Sequence, residues 1–170
     1  MVKNRPHRVR RRPRGKDQLL PMSDGRIRAL SLEGHIALSV LRSGHGDAVQ
    51  IGRLSQIVYL SYFMRDLTPA GSDSEPFRRA EHIIECCIAR VMKGGQWGLK
   101  AEECVVMARI LLLYDAQLAA APAYRFVDAW EQFQRAVVNN FSTPIEGSSI
   151  EESNISIDVL TKLVHGPVPA

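Results

Sequence analysis

The residues best suited to chemistry in this chain are the cations at its start, in the segment MVKNRPHRVRRRPRGK. These sixteen positions hold eight of the 22 Lys and Arg residues and none of the 18 Asp and Glu residues. The later positions therefore carry 14 basic and 18 acidic residues, a net charge of −4. Because a guanidinium presents a planar pair of donors that matches a phosphate group, this basic arm predicts contact with a polyanion.

The predicted phosphate-binding residues are the closely spaced cations of this arm, namely Arg5, Arg8, Arg10, Arg11, Arg12, Arg14 and Lys16. The arm contains no aromatic residue on which single-stranded bases could stack, although Arg-rich arms of this kind enter DNA minor grooves. The predicted partner is DNA or RNA, without distinction between them. Two alternatives stay open: a nuclear-import-type address or another acidic partner, and a basic terminus without a specific role.

Three other motifs could in principle form a metal site, a phosphate-binding loop or a catalytic nucleophile, but each is better explained by an ordinary structural role. His82 and Cys86 are four residues apart on one helix face, but a transition-metal site needs three or four ligands, and no others can be named. Positions 94–98 read Gly-Gly-Gln-Trp-Gly, without the spacing and Lys-Ser/Thr of a P-loop. No nucleophile lies beside an evident base. We therefore predict no cofactor, no metal and no enzymatic activity.

The apolar periodicity predicts an all-α fold, a compact bundle of about five main helices plus a short C-terminal helix. The fourth helix is apolar around much of its girth and is expected to be the central one. Gly34, inside the first helix, predicts a close crossing or a bend, and Asp47 with Gln50 predicts a capping box. The predicted helices span about 24–43, 48–66, 74–93, 100–120, 123–141 and 155–164.

The fifth predicted helix carries the clearest amphipathic stripe, which contains Phe126, Trp130, Phe133, Val137 and Phe141. Such a stripe is typical of a core. Aromatic residues are also enriched at the centres of interfaces. Phe126, Trp130 and Phe133 are accordingly a candidate partner interface, for a homodimer or for another protein. A helix-turn-helix formed by the first two helices is a weaker reading, because both helices look too long and too apolar.

Charge and composition divide the chain into three parts: a disordered basic arm at 1–22, a helical bundle domain at 23–141, and an acidic linker with a short helix at 142–170. No apolar run is long enough to span a bilayer, and no apolar region follows the charged start as in a secretory signal. Three cysteines, two of them adjacent, do not suggest a disulfide framework. We expect a cytoplasmic protein without membrane contact.

The chain resembles small helical proteins of proteobacterial plasmids, phages and genomic islands that are loosely labelled Fis-family transcriptional regulators. The resemblance covers roughly residues 35–137 and rests on three segments: Trp97-Gly98-Leu99, Leu113-Tyr114-Asp115-Ala116-Gln117-Leu118-Ala119 and Ala121-Pro122. It implies a bacterial mobile-element accessory protein with a regulatory role. Fis-type regulators end in a helix-turn-helix followed by basic residues, whereas this C-terminus is acidic, so no functional residue is transferred.

Overall fold

The computed structural model describes residues 19–138 and 143–148, and this part of the chain forms five α-helices and no β-strand. The predicted all-α bundle of about five main helices is therefore confirmed. Outside the described residues lie positions 1–18 of the basic arm, the end of the fifth predicted helix and the short C-terminal helix. The helices are α1 (Asp24–Arg42), α2 (Ala48–Phe63), α3 (Glu75–Met92), α4 (Ala101–Ala120) and α5 (Ala123–Val138).

Local signals explain how α1 ends and α2 begins. Gly44 has a φ of 74°, a left-handed conformation that glycine adopts without a steric penalty, and it follows the last turn of α1. The Asp47 side chain then accepts a hydrogen bond from the backbone N–H of Val49 at 2.6 Å. The Gln50 side chain accepts the backbone N–H of Asp47 at 2.8 Å, which confirms the predicted capping box.

The centre of the bundle is α2, which packs against each of the other four helices. Eleven of its sixteen residues are buried. The expectation that the fourth helix is central is wrong, because Val105 and Leu112 of α4 are 53% and 64% exposed. Some of the apolar residues of α4 thus lie on the protein surface. By contrast, α2 buries several polar residues, and these made α2 look less central in the sequence.

The predicted close crossing at Gly34 is confirmed by the packing of α1. A Cβ atom on Gly34 would lie 2.7 Å from Cδ1 of Ile57 on α2 and 2.8 Å from Cδ2 of Leu111 on α4. The absence of a side chain lets α1 approach both helices at once.

The second predicted helix ends earlier than expected, at Phe63, and two 3₁₀ turns at Arg65–Leu67 and Pro69–Gly71 lead to α3.

A buried pair of polar side chains joins α2 to α4. The Ser61 hydroxyl donates to Oε1 of Gln117 at 2.6 Å, and Nε2 of Gln117 donates to the carbonyl of Ser61 at 3.0 Å. Both residues are fully buried. Since an unsatisfied buried polar group is costly, this reciprocal pairing fixes the register of the two helices.

We expect Gln117→Leu to lower the free energy of unfolding by about 1–3 kcal/mol, because it removes both hydrogen bonds of the pair and leaves the buried Ser61 hydroxyl without its acceptor. Urea titration followed by circular dichroism measures the change. Gln132→Leu, on an exposed stretch of α5, is the matched control and should change stability by less than about 0.5 kcal/mol. Equal stability of the two variants would contradict the role given to the buried pair.

Candidate functional site

The root of the basic arm is fixed to the bundle at the turn between α4 and α5. The carbonyl of Leu20 accepts the backbone N–H of Ala123 at 2.8 Å, and Pro21 forms an isolated antiparallel bridge with Pro122. Met22 is 6% exposed and belongs to the core. The seven predicted phosphate-binding residues precede this root and lie outside the described residues. The arm is therefore tethered at one defined end of the helices.

Four of the 13 described cations of the bundle have carboxylate partners. Ion pairs join Arg53 to Glu33 at 3.2 Å, Arg78 to Glu75 at 2.9 Å, Arg90 to Glu103 at 2.7 Å and Arg125 to Asp66. Near the root of the arm, the guanidinium of Arg26 lies 5.6 Å from the ring centroid of Phe126, a cation–π contact. Over the described ranges, 13 basic residues face 14 acidic ones, so the bundle is nearly neutral.

A helix-turn-helix formed by α1 and α2 would use α2 as its recognition helix, and the structure does not allow this. A recognition helix must expose one face to the groove of the DNA, and α2 is buried on most of its surface. Gln56 of α2 is 1% exposed, and its side-chain oxygen accepts a hydrogen bond from Arg53 at 2.5 Å. Arg53 in turn pairs with Glu33. These polar side chains therefore hold α1 and α2 together.

The aromatic stripe of α5 is largely part of the core. Phe126 is 4% exposed and Phe133 is fully buried, and Trp130 is half-buried between them. The ring centroids are 6.5 Å apart for Phe126 and Trp130, and 6.0 Å apart for Trp130 and Phe133. The indole nitrogen of Trp130 is buried and has no hydrogen-bond partner. Any partner interface on this face would thus have to be formed by the exposed edge of Trp130 and its neighbours.

The glycine-rich connection between α3 and α4 is held by its carbonyl groups. The carbonyl of Gly98 accepts hydrogen bonds from the Cys87 thiol at 3.4 Å and from Arg90 at 2.9 Å. The backbone N–H of Leu99 donates to the carbonyl of Leu41 at 3.2 Å, which ties the connection to α1. Trp97 packs against the core. The segment thus acts as a pinned helix connection.

Within residues 19–138 and 143–148, the cysteines and histidines do not assemble into a larger site. Nε2 of His82 lies 3.4 Å from Sγ of Cys86, as the spacing suggested. The part of the chain that the structure describes contains no group of three or more His, Cys, Asp and Glu residues that could hold a metal. Burial raises the pKa of the Cys87 and Cys104 thiols, which keeps both protonated and weakly nucleophilic at neutral pH.

Sequence reasoning missed a polar cluster around the carboxylate of Glu81, which is 2% exposed. Its Oε1 accepts hydrogen bonds from the hydroxyls of Tyr59 and Thr143, each at 2.6 Å, and its Oε2 accepts the hydroxyl of Ser148 at 2.6 Å. One sequence signal could have indicated that Glu81 is buried: it lies four residues after Phe77 and therefore on the apolar face of α3. The cluster fastens residues 143–148 to the bundle.

Three further contacts hold this segment, which the sequence assigned to an acidic linker. Arg78 donates to the carbonyl of Glu146 at 2.8 Å, and the backbone N–H of Glu146 donates to the hydroxyl of Tyr62 at 3.2 Å. Ile145 is 2% exposed and enters the core. Residues 143–148 are therefore part of the packed structure, because one apolar side chain and several backbone groups find partners there.

Two tyrosines are buried next to charged groups. Burial, reinforced by the negative charge of Glu81, holds the pKa of Tyr59 well above the ordinary tyrosine value. Burial also raises the pKa of Tyr114, which lies near Glu33, Arg53 and Asp115. Both phenols consequently stay neutral in the folded protein at a pH at which an unfolded chain would ionise them.

Comparison with known proteins adds no family, since no family model, no curated protein and no solved structure matches the chain. None of the helices in the described ranges combines the length and the apolar character needed to cross a membrane. The features that can indicate a function are therefore the arm, its root and the surface of the bundle.

The raised pKa of Tyr59 predicts a loss of stability at alkaline pH. Below the unfolded-state pKa of about 10 the stabilisation is complete. Above it the unfolded chain releases the proton first, so the free energy of unfolding falls by about 1.4 kcal/mol per pH unit for each such tyrosine. Urea midpoints measured between pH 8 and 11.5 test this.

In the Tyr59→Phe variant, the free energy of unfolding should fall less steeply with pH above about 10, by about 1.4 kcal/mol per pH unit. The loss of the hydrogen bond to Glu81 lowers stability at every pH in this range and leaves the slope unaffected. Tyr114→Phe should reduce the slope in the same way. An unchanged slope in both variants would contradict the assignment.

Proposed function

We propose that the chain is a small, non-catalytic accessory protein that associates with nucleic acid, grips phosphate with its Arg-rich arm and has a regulatory role. The observation that carries this proposal is the concentration of eight Lys and Arg residues, without one carboxylate, in the first sixteen positions. Each phosphate that such a segment neutralises releases condensed counterions, which drives binding and makes it dependent on salt.

The charge distribution of the bundle supports the arm as the binding element. Ion pairs engage Arg53, Arg78, Arg90 and Arg125, and the described part of the bundle is close to neutral. A nearly neutral body offers little attraction for a polyanion, whereas the arm carries a dense positive charge.

Binding through phosphate contacts of the arm does not depend on the base sequence of the nucleic acid. Contacts to phosphate fix position without reading bases, and the burial of α2 argues against a helix-turn-helix formed by α1 and α2. DNA and RNA are both suitable ligands for such an arm. The proposed setting is the cytoplasm of a bacterium that carries a mobile genetic element, as the resemblance to Fis-labelled helical proteins implies.

Replacement of Arg8, Arg10, Arg11, Arg12 and Arg14 by Gln should abolish retention of a short duplex in a gel shift. For duplex DNA the slope of log affinity against log salt should fall in magnitude by about 0.9 for each lost phosphate contact, or about 4.5 if all five arginines make contacts. Fluorescence anisotropy at several salt concentrations measures this slope for the full chain and the variant.

The matched control replaces five exposed cations of the bundle by Gln, at Arg28, Arg79, Lys93, Lys100 and Arg135. This control removes the same charge and should lose much less affinity, because its cations are spread over the bundle. Equal losses in the two variants would show that net charge, and not the arm, determines binding.

A second candidate function, a protein-interaction module, is favoured by exposed aliphatic side chains on α1 and α4. Leu32 and Ile36 of α1 are 59% and 52% exposed, and Val105 and Leu112 of α4 are exposed to a similar degree. The cleft between the two helices has a volume of about 470 Å³. Apolar side chains exposed in a group mark interaction surfaces, and a second copy of the chain is the simplest partner.

If this face forms a homodimer, Ile36→Glu with Leu112→Glu should convert the dimer to a monomer in analytical ultracentrifugation, with stability changed by less than about 0.5 kcal/mol per site. Met92→Glu is the matched control, because Met92 is an exposed apolar residue of α3. A wild-type chain that remains monomeric over the whole concentration range would exclude the homodimer.

A further inference from the structure

A groove of about 340 Å³ runs between α3 and α4, on a part of the surface that the proposed function does not use. Its floor is the buried side chain of Ile110, and the half-buried Val106, Leu113 and Pro76 form apolar walls. Exposed Ala70, in the second 3₁₀ turn, closes one part of the rim. Such a groove suits the apolar face of a short helix.

The charges around this groove leave two cations available. Arg79 and Arg109 line it, are exposed, and have no carboxylate partner among residues 19–138 and 143–148. The two acidic residues of the lining are already engaged. Asp73 accepts the backbone N–H of Glu75 at 2.9 Å, and Glu75 pairs with Arg78 at 2.9 Å. With Arg78 counted, three cations stand against two carboxylates around the groove, so its apolar walls are bordered by a small net positive charge.

The chain itself contains a segment of matching chemistry beyond Ser148. Its 22 residues include Ile157, Leu160 and Val164, spaced by three and four, a pattern that predicts one apolar helix face. Glu151, Glu152 and Asp158 stand against one cation, Lys162, so the segment is acidic. The apolar side chains at helical spacing match the apolar walls of the groove, and the acidic residues match Arg79 and Arg109.

The attachment point of this segment is close enough to the groove. The Ser148 hydroxyl is bonded to Glu81 on α3, and Arg78 of the same helix holds Glu146. The next residue, Arg79, lines the groove, so only the width of α3, about 10 Å, separates the two sides. Residues 149–154 can span about 20 Å when extended, which is enough to pass around the helix.

We propose that residues 155–164 dock as an amphipathic helix in the groove between α3 and α4 of the same chain. Ile157, Leu160 and Val164 fill the apolar trough, and Asp158 lies near the rim formed by Arg79 and Arg109. The Glu81 cluster holds the chain at Ser148, about one helix width from the groove. This inference does not depend on whether the basic arm binds nucleic acid.

Limited trypsin digestion of the full chain tests the docking, because Lys162 is the only Lys or Arg after Arg135. Cleavage there releases residues 163–170, which mass spectrometry detects separately from cuts in the arm. Docking protects the bond in proportion to the docked population. Leu160→Asp should therefore accelerate this cut about tenfold, because it removes a central apolar anchor.

A matched pair of variants tests the groove itself. Ala70→Glu adds a bulky negative charge at the rim and should accelerate the cut at Lys162 several-fold. Ala119→Glu makes the same change at an exposed position of α4 outside the groove and should leave the cleavage rate unchanged. Val168→Asp, outside residues 155–164, is the corresponding control for the tail, and circular dichroism confirms that each variant folds.

Three results would overturn the proposal. The first is an equal cleavage rate at Lys162 in the wild-type chain and in Leu160→Asp. The second is loss of protection on neutralising the basic arm, with no effect of Ala70→Glu, which would show that the arm binds the acidic segment. The third is protection that increases with protein concentration, which would assign the groove to the segment of a second copy.

Discussion

The burial of α2 by all four neighbouring helices is the constraint on which the rest of this structure depends. Eleven of its sixteen residues are buried, and they include polar side chains that must find partners within the protein. Ser61 finds its partner in Gln117 of α4, and Tyr59 finds one in Glu81 of α3. These buried bonds give the apolar core a unique register, which hydrophobic burial alone would specify less strictly.

The same constraint limits what the bundle can do. A helix that is enclosed on most sides cannot read a groove of DNA, and Glu81 is engaged by three hydroxyl donors. The described part of the bundle holds 13 basic and 14 acidic residues and is therefore close to neutral. Positive charge is thus concentrated in the arm, which joins the bundle at Leu20 and Ala123, while the surfaces left for partners are the α1–α4 face and the α3–α4 groove.

The sequence predicted the helices because periodicity and caps are local signals. Asp47 with Gln50 and the glycine at position 44 mark boundaries that the structure reproduces. Which helix lies at the centre could not be predicted, since that depends on whether residues such as Gln117 meet a partner across the core. The Glu81 cluster was hidden for the same reason: two of its donors are more than 60 residues away along the chain.

The central claim is that the arm, and not the helical body, binds a polyanion. The most direct test is a two-dimensional ¹H–¹⁵N NMR titration of the full chain with a short DNA duplex at moderate salt. We expect chemical-shift changes in residues 1–22 and around Ala123 at the root of the arm, with the amides of α2 and α3 unchanged. Changes confined to the exposed face of α1 and α4, with none in the arm, would contradict this claim.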